Sequence, residues 1–516
     1  MHARHRSSSI SRDNALYQSI PQEPISTDAA LIPSTVLETE LDIEEADGAV
    51  LSDPVLPHLV DNQIHWILFL FGCAVLLPWN VMITATPYFL SRLEGSPVRS
   101  LFSSYLSTSF TFANFSFLAH ATATSKKASS SRQVQWTTLT LASLTFLLML
   151  STYITLPPTL FFTFVLLNAI AQAGAGSYLQ TSVVAIASLF GPATMQAVMS
   201  GQAAVAIVVS SVQVISAGAS LRSSAPASVL RARDSVGEAE AKSAFAFFAL
   251  STVFLVACAG ANVWLTRMPA FKAIVAPAPL DCEPPWARAR SLSVERGEHR
   301  PLVADGVDLS PVGLHEHADI LDAKSRIWRV AKKNVLYEVA VAYVFVVTLS
   351  VFPPLTISVQ PTNPSIHPLL FNSIHFLVFS TGDFLGRHLC SYPTLLIWSA
   401  KRLGMLSLLR TLFIPLFLAC NVQRDPSTPS APPLINSDVL FMLILLVFGL
   451  SNGYVSSLCM MSAGSLEHNR RLEGRKEDVD IAATVASFCL VGGLAVGSMM
   501  SFGVKAAVCE CNPFTT

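Results

Sequence analysis

The chain alternates long apolar runs with short polar breaks. About 20 apolar residues in a helix cross the ~30 Å hydrocarbon core of a bilayer. Eleven runs reach that length, at roughly 64–90, 100–122, 134–154, 159–190, 194–220, 243–267, 334–355, 366–389, 394–420, 437–463 and 481–505. Two polar stretches interrupt the series, one before the first run and one between the sixth and seventh. The pattern predicts an all-α polytopic membrane protein with 11 transmembrane helices in a 6+5 arrangement. Residues 1–63 then form a disordered acidic cytoplasmic tail. Residues 64–267 form an N-terminal six-helix bundle, 268–333 a cytoplasmic linker loop, and 334–516 a C-terminal five-helix bundle.

Composition agrees with that reading. Of 516 residues, 52% are hydrophobic and only 13% charged, against about 25% charged in soluble domains. Residues 1–63 and 268–333 hold 33 of the 67 charges. From Val134 to Leu221, 88 residues contain no Asp, Glu, Lys, Arg or His. A cytosolic enzyme, a disordered chain and a nucleic-acid binder are thereby disfavoured. Net charge is −1, so no global field steers a charged partner. Nine cysteines are scattered, mostly in apolar runs, without metal-ligand spacing. The first apolar run begins near Ile64, too late for a secretory signal.

Lys and Arg in the short loops set the orientation. With a cytoplasmic N-terminus, inner loops and the membrane-proximal end of the long loop carry fourteen, from Lys126 to Lys476, and outer loops seven. The sequon Asn114-Phe115-Ser116 falls inside the second run, which disfavours glycosylation.

Ionisable residues in the membrane cost roughly 2.5–3.5 kcal/mol on insertion scales, so they mark function. The runs contain Glu338, Asp383, Arg387 and Arg410. Glu338, five residues past Lys333, reads as an interfacial residue. Asp383 and Arg387 are one turn apart on one helix face. Two readings stand: a pair that neutralises itself, or an acceptor beside a donor that binds vicinal hydroxyls such as those of a ribose. Phe376 on that face can stack on a planar ring. His375 reads as packed or, alternatively, as titrating. Asn168, Gln172, Gly176 and Gln180 recur every four residues in the fourth run. Such amides either read the edge of a nucleobase or bond between helices. Pro78 and Trp79 lie within the first run, where proline kinks a helix. Gly382/Gly386, Gly449/Gly453 and Gly493/Gly497 are small-residue pairs suited to close helix packing. The chain has no G-x-x-x-x-G-K-[ST], H-E-x-x-H, G-x-S-x-G or T-V-G-Y-G, so neither an ATP-driven pump, an intramembrane hydrolase nor a potassium channel is indicated.

Together the motifs resemble the equilibrative nucleoside transporters (solute carrier family 29). They run in order: Leu76-Leu77-Pro78-Trp79-Asn80 with Thr84-Ala85; Gly176, Gln180 and Met199-Ser200-Gly201-Gln202; Phe352-Pro353; Asp383, Gly386 and Arg387; Arg410, Ile414-Pro415 and Cys420-Asn421; Ser451-Asn452-Gly453-Tyr454; Gly493-Leu494-Ala495-Val496-Gly497. The resemblance covers about 64–505. It implies a major-facilitator-like fold and a nucleoside substrate, such as adenosine or uridine, carried by facilitated diffusion and alternating access. It implies no enzyme activity and no cofactor. It places Leu76 and Trp79 against the solute, Gln180 on the base, and Asp383 and Arg387 on the ribose hydroxyls. Phe352, Phe376 and Leu494 would shape the apolar wall, with Ser380 beside them. Pro78, Asn80, Gly176, Gly201, Gly386 and Arg410 would serve structure or gating. Ala74, Ile83 and Ser380 depart from the family pattern, which bears on substrate range. Two alternatives stand beside this expectation. One is a proton-coupled nucleoside or nucleobase exporter of an acidic organelle, with Glu338, His375 or Asp383 as carrier. The other is a non-transporting membrane scaffold signalling through its polar segments. Kinases acting on Ser7, Ser8, Ser9, Ser291 and Ser293 are candidate partners beside the lipid bilayer. Plasma membrane and vacuolar or lysosomal membrane both fit.

Overall fold

A computed structural model describes residues 62–275 and 311–509, with breaks at 97, 100–101, 125–129, 155, 223–228, 364 and 423–432. The acidic tail, most of the long linker and the candidate phosphorylation sites lie outside the described residues.

Everything described is helical apart from turns and two isolated β-bridges. The order is α1 (Asn62–Thr84), α2 (Thr86–Arg92), α3 (Phe102–Ala123), α4 (Ser130–Ser151), α5 (Pro158–Leu189), α6 (Pro192–Arg222), α7 (Val229–Arg267) and α8 (Pro269–Val275). Then follow α9 (Pro311–Val351), α10 (Pro368–Leu389), α11 (Ala400–Leu409), α12 (Phe413–Leu418), α13 (Asp438–Ala463) and α14 (Val479–Cys509). Among the described residues, nine helices are long and apolar enough to cross a membrane.

The other two predicted runs, the second and the ninth, are helical as well but fall outside those nine. The second run does fold as a helix, α3, of 22 residues, but Ser, Thr, Asn and His interrupt its apolar content. The ninth run, 394–420, is broken. A 3-10 turn at Pro393–Leu395 precedes an extended stretch, α11 gives way to a 3-10 turn at Arg410–Leu412, and α12 completes the segment. Pro415 lacks the N–H that would bond back one turn, which favours the tighter turn ahead of it. The seventh run is longer than predicted, since α9 begins at Pro311, inside the expected linker. Its extension is charged and anchored: Arg329 Nη2 lies 3.1 Å from Asp478 Oδ2, and Lys333 pairs with Glu473.

Small residues decide the helix pairing. Helices in lipid gain little from apolar burial alone, so close backbone approach and interhelical bonds matter more. α10 packs on α13, α9 on α14, and α1 on α6. A Cβ at Gly386 would stand 2.0 Å from Leu450 O, and one at Gly453 would stand 1.9 Å from Asp383 O. Only glycine permits this reciprocal contact, which runs parallel along α10 and α13. At Gly201 a Cβ would meet Phe69 O at 2.0 Å.

Candidate functional site

The tight α10/α13 contact brings charged and amide side chains together. Asp383 and Arg387 share one face of α10, and Arg387 Nε donates to Asp383 Oδ2 at 2.9 Å. Asn452 on α13 donates from Nδ2 to Asp383 Oδ1 at 2.6 Å. Its own Oδ1 accepts from Thr348 Oγ1 on α9 at 2.7 Å. Arg410 Nη2 donates to Thr348 Oγ1 at 2.7 Å and Nη1 to Phe448 O at 3.1 Å. Arg410 also bonds Ser451 and lies over the Phe448 ring, 4.7 Å from its centroid. A guanidinium has donors only, so Arg410 turns the oxygen of Asn452 toward itself and the amino group toward Asp383. The cluster holds two guanidiniums and one carboxylate, all buried.

The same residues reach α6. Arg387 Nη1 donates to Met199 O at 2.9 Å, and Gln196 Nε2 donates to Arg387 O at 3.1 Å. Ser210 and Ser380 hydroxyls lie 3.1 Å apart at mid-helix. Gln180 Nε2 on α5 donates to Ser487 Oγ on α14 at 2.9 Å, and Phe115 stacks on Phe488 at 5.3 Å. Apart from the serine pair, these links between residues 62–275 and 311–509 lie toward the end of the helices that carries residues 464–478.

Toward the other end the walls are aromatic. Phe352 stacks on Phe379 at 4.0 Å and meets Phe376 edge-on at 5.3 Å. His375 is fully buried, with Nε2 2.8 Å from Thr356 Oγ1 and Nδ1 3.1 Å from Asn372 O. The packed reading of this histidine therefore describes it. Trp79 lies 4.5 Å from Phe110, centroid to centroid, and is half-buried, as are Leu76 and Leu494. Asn80 Nδ2 donates to Leu76 O at 2.8 Å, beside Pro78, which lies within the continuous helix α1.

The amide stripe of α5 divides. Asn168 donates to Leu144 O at 3.0 Å, and Gln172 donates to Asn168 Oδ1 at 2.6 Å, so both tie helices together. At Gly176 a Cβ would meet nothing within 4 Å, so close packing does not explain that glycine. Glu338 is covered by protein. It is buried between α9 and its neighbours with 6% exposure. Asn452, Thr348, Met199, Ser487 and Phe379 were not singled out as site residues from sequence. Asn452 lies inside the Gly449/Gly453 pair, and a polar residue beside a close-packing glycine is the signal that finds it.

A polytopic helical membrane protein with a buried charged cluster bridging its two halves is the architecture of a solute carrier. Its fold is similar to that of the E. coli fucose:proton symporter, with a TM-score of 0.51 and 14% identity over 87% of this chain and 94% of that one. The profile of the nucleoside transporter family matches residues 165–506, and the chain belongs to that family. Rat equilibrative nucleoside transporter 1 is 26% identical over 485 residues, covering 87% of this chain and 98% of the relative. Human equilibrative nucleoside transporter 2 is 36% identical over 190 residues, 36% of this chain and 38% of the relative. These relatives are transporters, not enzymes.

Proposed function

We propose that the chain carries nucleosides across a membrane by alternating access, down their gradient. The observation that supports this most is the buried Asp383–Arg387 pair, joined through Met199 O to α6. It combines an acceptor and a donor suited to vicinal hydroxyls with a link that must break when the two halves rock. Residues 64–267 and 334–516 act as the two halves, with the N-terminus cytoplasmic. In the state described, the links gather at the 464–478 end, so that end is closed. The solute enters from the opposite side. Its base lies between Trp79 and Leu76 on one flank and Phe352, Phe376 and Leu494 on the other, with Gln180 on the base edge. Its ribose displaces part of the Asp383–Arg387 bond, with Ser380 alongside. Gly201 and Gly386 let helices approach, while Pro78, Asn80, Gly176 and Arg410 shape the moving frame. Adenosine and uridine represent the purine and pyrimidine substrates.

Radiolabelled uridine and adenosine uptake in a transport-deficient host tests this, with Asp383→Asn as the comparison. Saturable uptake lost in the variant is the expected result. No uptake by surface-expressed wild type overturns the nucleoside reading for that membrane.

A further inference from the structure

Three carboxyl or imidazole groups in the interior are candidates to bind a proton, and two are already committed. Asp383 has Arg387 on one oxygen and Asn452 on the other. His375 has a partner on each ring nitrogen. Glu338 differs. It has 6% exposure, and its Oε1 is buried without a hydrogen-bond partner among the described residues. One turn below it, Asn334 has 0% exposure, and its Nδ2 is also without a partner, although its Oδ1 accepts from Asn469 at 2.9 Å. Two orphaned polar atoms one helical turn apart in a close-packed interior call for an explanation.

The helix register fixes what faces Glu338. A Cβ at Gly493 would stand 2.2 Å from Ala342 O, and one at Gly497 would stand 2.8 Å from Phe345 O. α9 and α14 therefore run parallel in step, and one turn back brings Glu338 level with Cys489. The thiol of Cys489 is the titratable group that α14 presents there. Asp480 lies further down the same helix. α13 contributes the buried thiol of Cys459. α11 opens on Ala400, followed by Lys401 and Arg402; of the other cations against α9, Arg471 Nη1 donates to Lys333 O at 3.0 Å and Arg410 Nη2 to Thr348 Oγ1 at 2.7 Å. Ahead of α11, Trp398 O accepts from Tyr337, the residue before Glu338, at 2.7 Å. His468 stacks on that Trp398. On α9 itself, Lys333 is taken by Glu473 and Arg329 by Asp478. Among the described residues no cation lies within ion-pair distance of Glu338.

An ionised carboxylate without cation or donor is costly in such a place. The cost depends on water, and water is controlled by the closed end. Ser487 and Phe488, which hold α14 to α5 and α3, immediately precede Cys489. When those contacts part, the cover over the Glu338 side of α14 loosens.

We propose that Glu338 is a proton-binding site that governs the gate. It carries a proton while the 464–478 end is closed and releases it to water when that end opens, so acid holds the carrier closed there. The inference rests on the alternating-access reading and deepens it with a regulator.

Two measurements on the purified full chain test it. In detergent, without substrate, the unfolding midpoint of wild type should drop relative to that of Glu338→Gln by about 2–4 °C between pH 5.5 and 7.5, because the unfolded carboxyl, with its ordinary value of about 4.3, is already ionised while the folded one still holds its proton. Midpoints that differ by the same amount at both pH values overturn the proposal. In proteoliposomes at equal pH on both sides, wild-type uridine exchange at pH 5.5 should be one third or less of that at pH 7.5. Glu338→Gln should be slow at both, like wild type in acid. An equally pH-dependent variant, or a wild type indifferent to pH, overturns the gate. Glu338→Met serves if Glu338→Gln does not fold. If wild type moves no uridine at all, the transport reading fails, while the unfolding midpoints still decide whether Glu338 binds the proton.

Discussion

The two halves of the molecule solve the problem of a polar interior differently. Between residues 62 and 275, the buried polar side chains described are hydroxyls and amides, such as Thr145, Asn168, Gln172 and Gln196. Between 311 and 509 they include Glu338, Asp383, Arg387 and Arg410. Amides and hydroxyls carry no net charge, and a buried one left without a partner, such as Ser182 Oγ or Asn262 Oδ1, costs less than a bare charge. Buried charges hold only as long as every partner stays in place. The difference teaches that the geometric demands of the polar interior are concentrated between residues 311 and 509.

Removing one charge breaks this comparison most sharply. Asp383→Ala leaves two guanidiniums in the interior with no carboxylate. Breaking a buried pair costs about 3–5 kcal/mol, so uptake should fall at least about 100-fold, measured against surface expression. A surviving transporter would mean that the cluster is not the charged centre of the molecule.

Gly386→Ala asks whether the tight α10/α13 contact sustains that cluster. The new Cβ would meet a backbone carbonyl rather than a flexible side chain. Overpacking of this kind costs about 1–3 kcal/mol, which at about 2–4 °C per kcal/mol is a readily measured drop in unfolding midpoint. Gly176→Ala is the matched control in the first half, and its midpoint should stay within about 1 °C of wild type, since surface-like changes cost under about 0.5 kcal/mol.

The amide half should respond more mildly. Gln180→Ala removes a neutral hydrogen bond worth about 1 kcal/mol. The KM for uridine should rise about fivefold with the maximal rate little changed. A loss as large as that of Asp383→Ala would erase the contrast between the halves.

Much of this was legible in the sequence because apolar run length and four-residue spacing are strong signals. The Asp383/Arg387 pair and the glycine pairs needed nothing more than helix periodicity. The broken segment around Arg410 was not legible, because hydropathy counts apolar residues and ignores the missing N–H of Pro415. Nor was the partner of Asp383. Asn452 lies 69 residues away, and only the reciprocal backbone contact at Gly453 brings it to the carboxylate. The burial of Glu338 was not legible either, because nearness in sequence to Lys333 does not say which helix covers its face. Its own helix continues past that lysine to Pro311, and the face bearing Glu338 is covered by α14.

The smallest expected effect lies at His468, in the 464–478 segment and outside the spans. The His468 ring stacks on Trp398, centroids 3.8 Å apart and planes 12° from parallel. Burial of the ring lowers its pKa from the ordinary 6.5. A histidine lowered in this way contributes stability above its unfolded value, and loses it as pH falls through the folded value. The stack should therefore be intact at pH 7.5 and loosen as pH falls below the ordinary imidazole value of 6.5. Trp398 tryptophan emission, isolated as the difference between wild type and Trp398→Phe, should change reversibly over that acid range and stay flat in His468→Gln. This response runs opposite to that expected of Glu338, whose buried carboxyl favours the closed end in acid. Two groups of opposite sign at one end would make the gate least responsive between their transitions. If His468→Gln keeps the emission change, the stack is not what acid loosens, and the end is governed by the carboxyl alone.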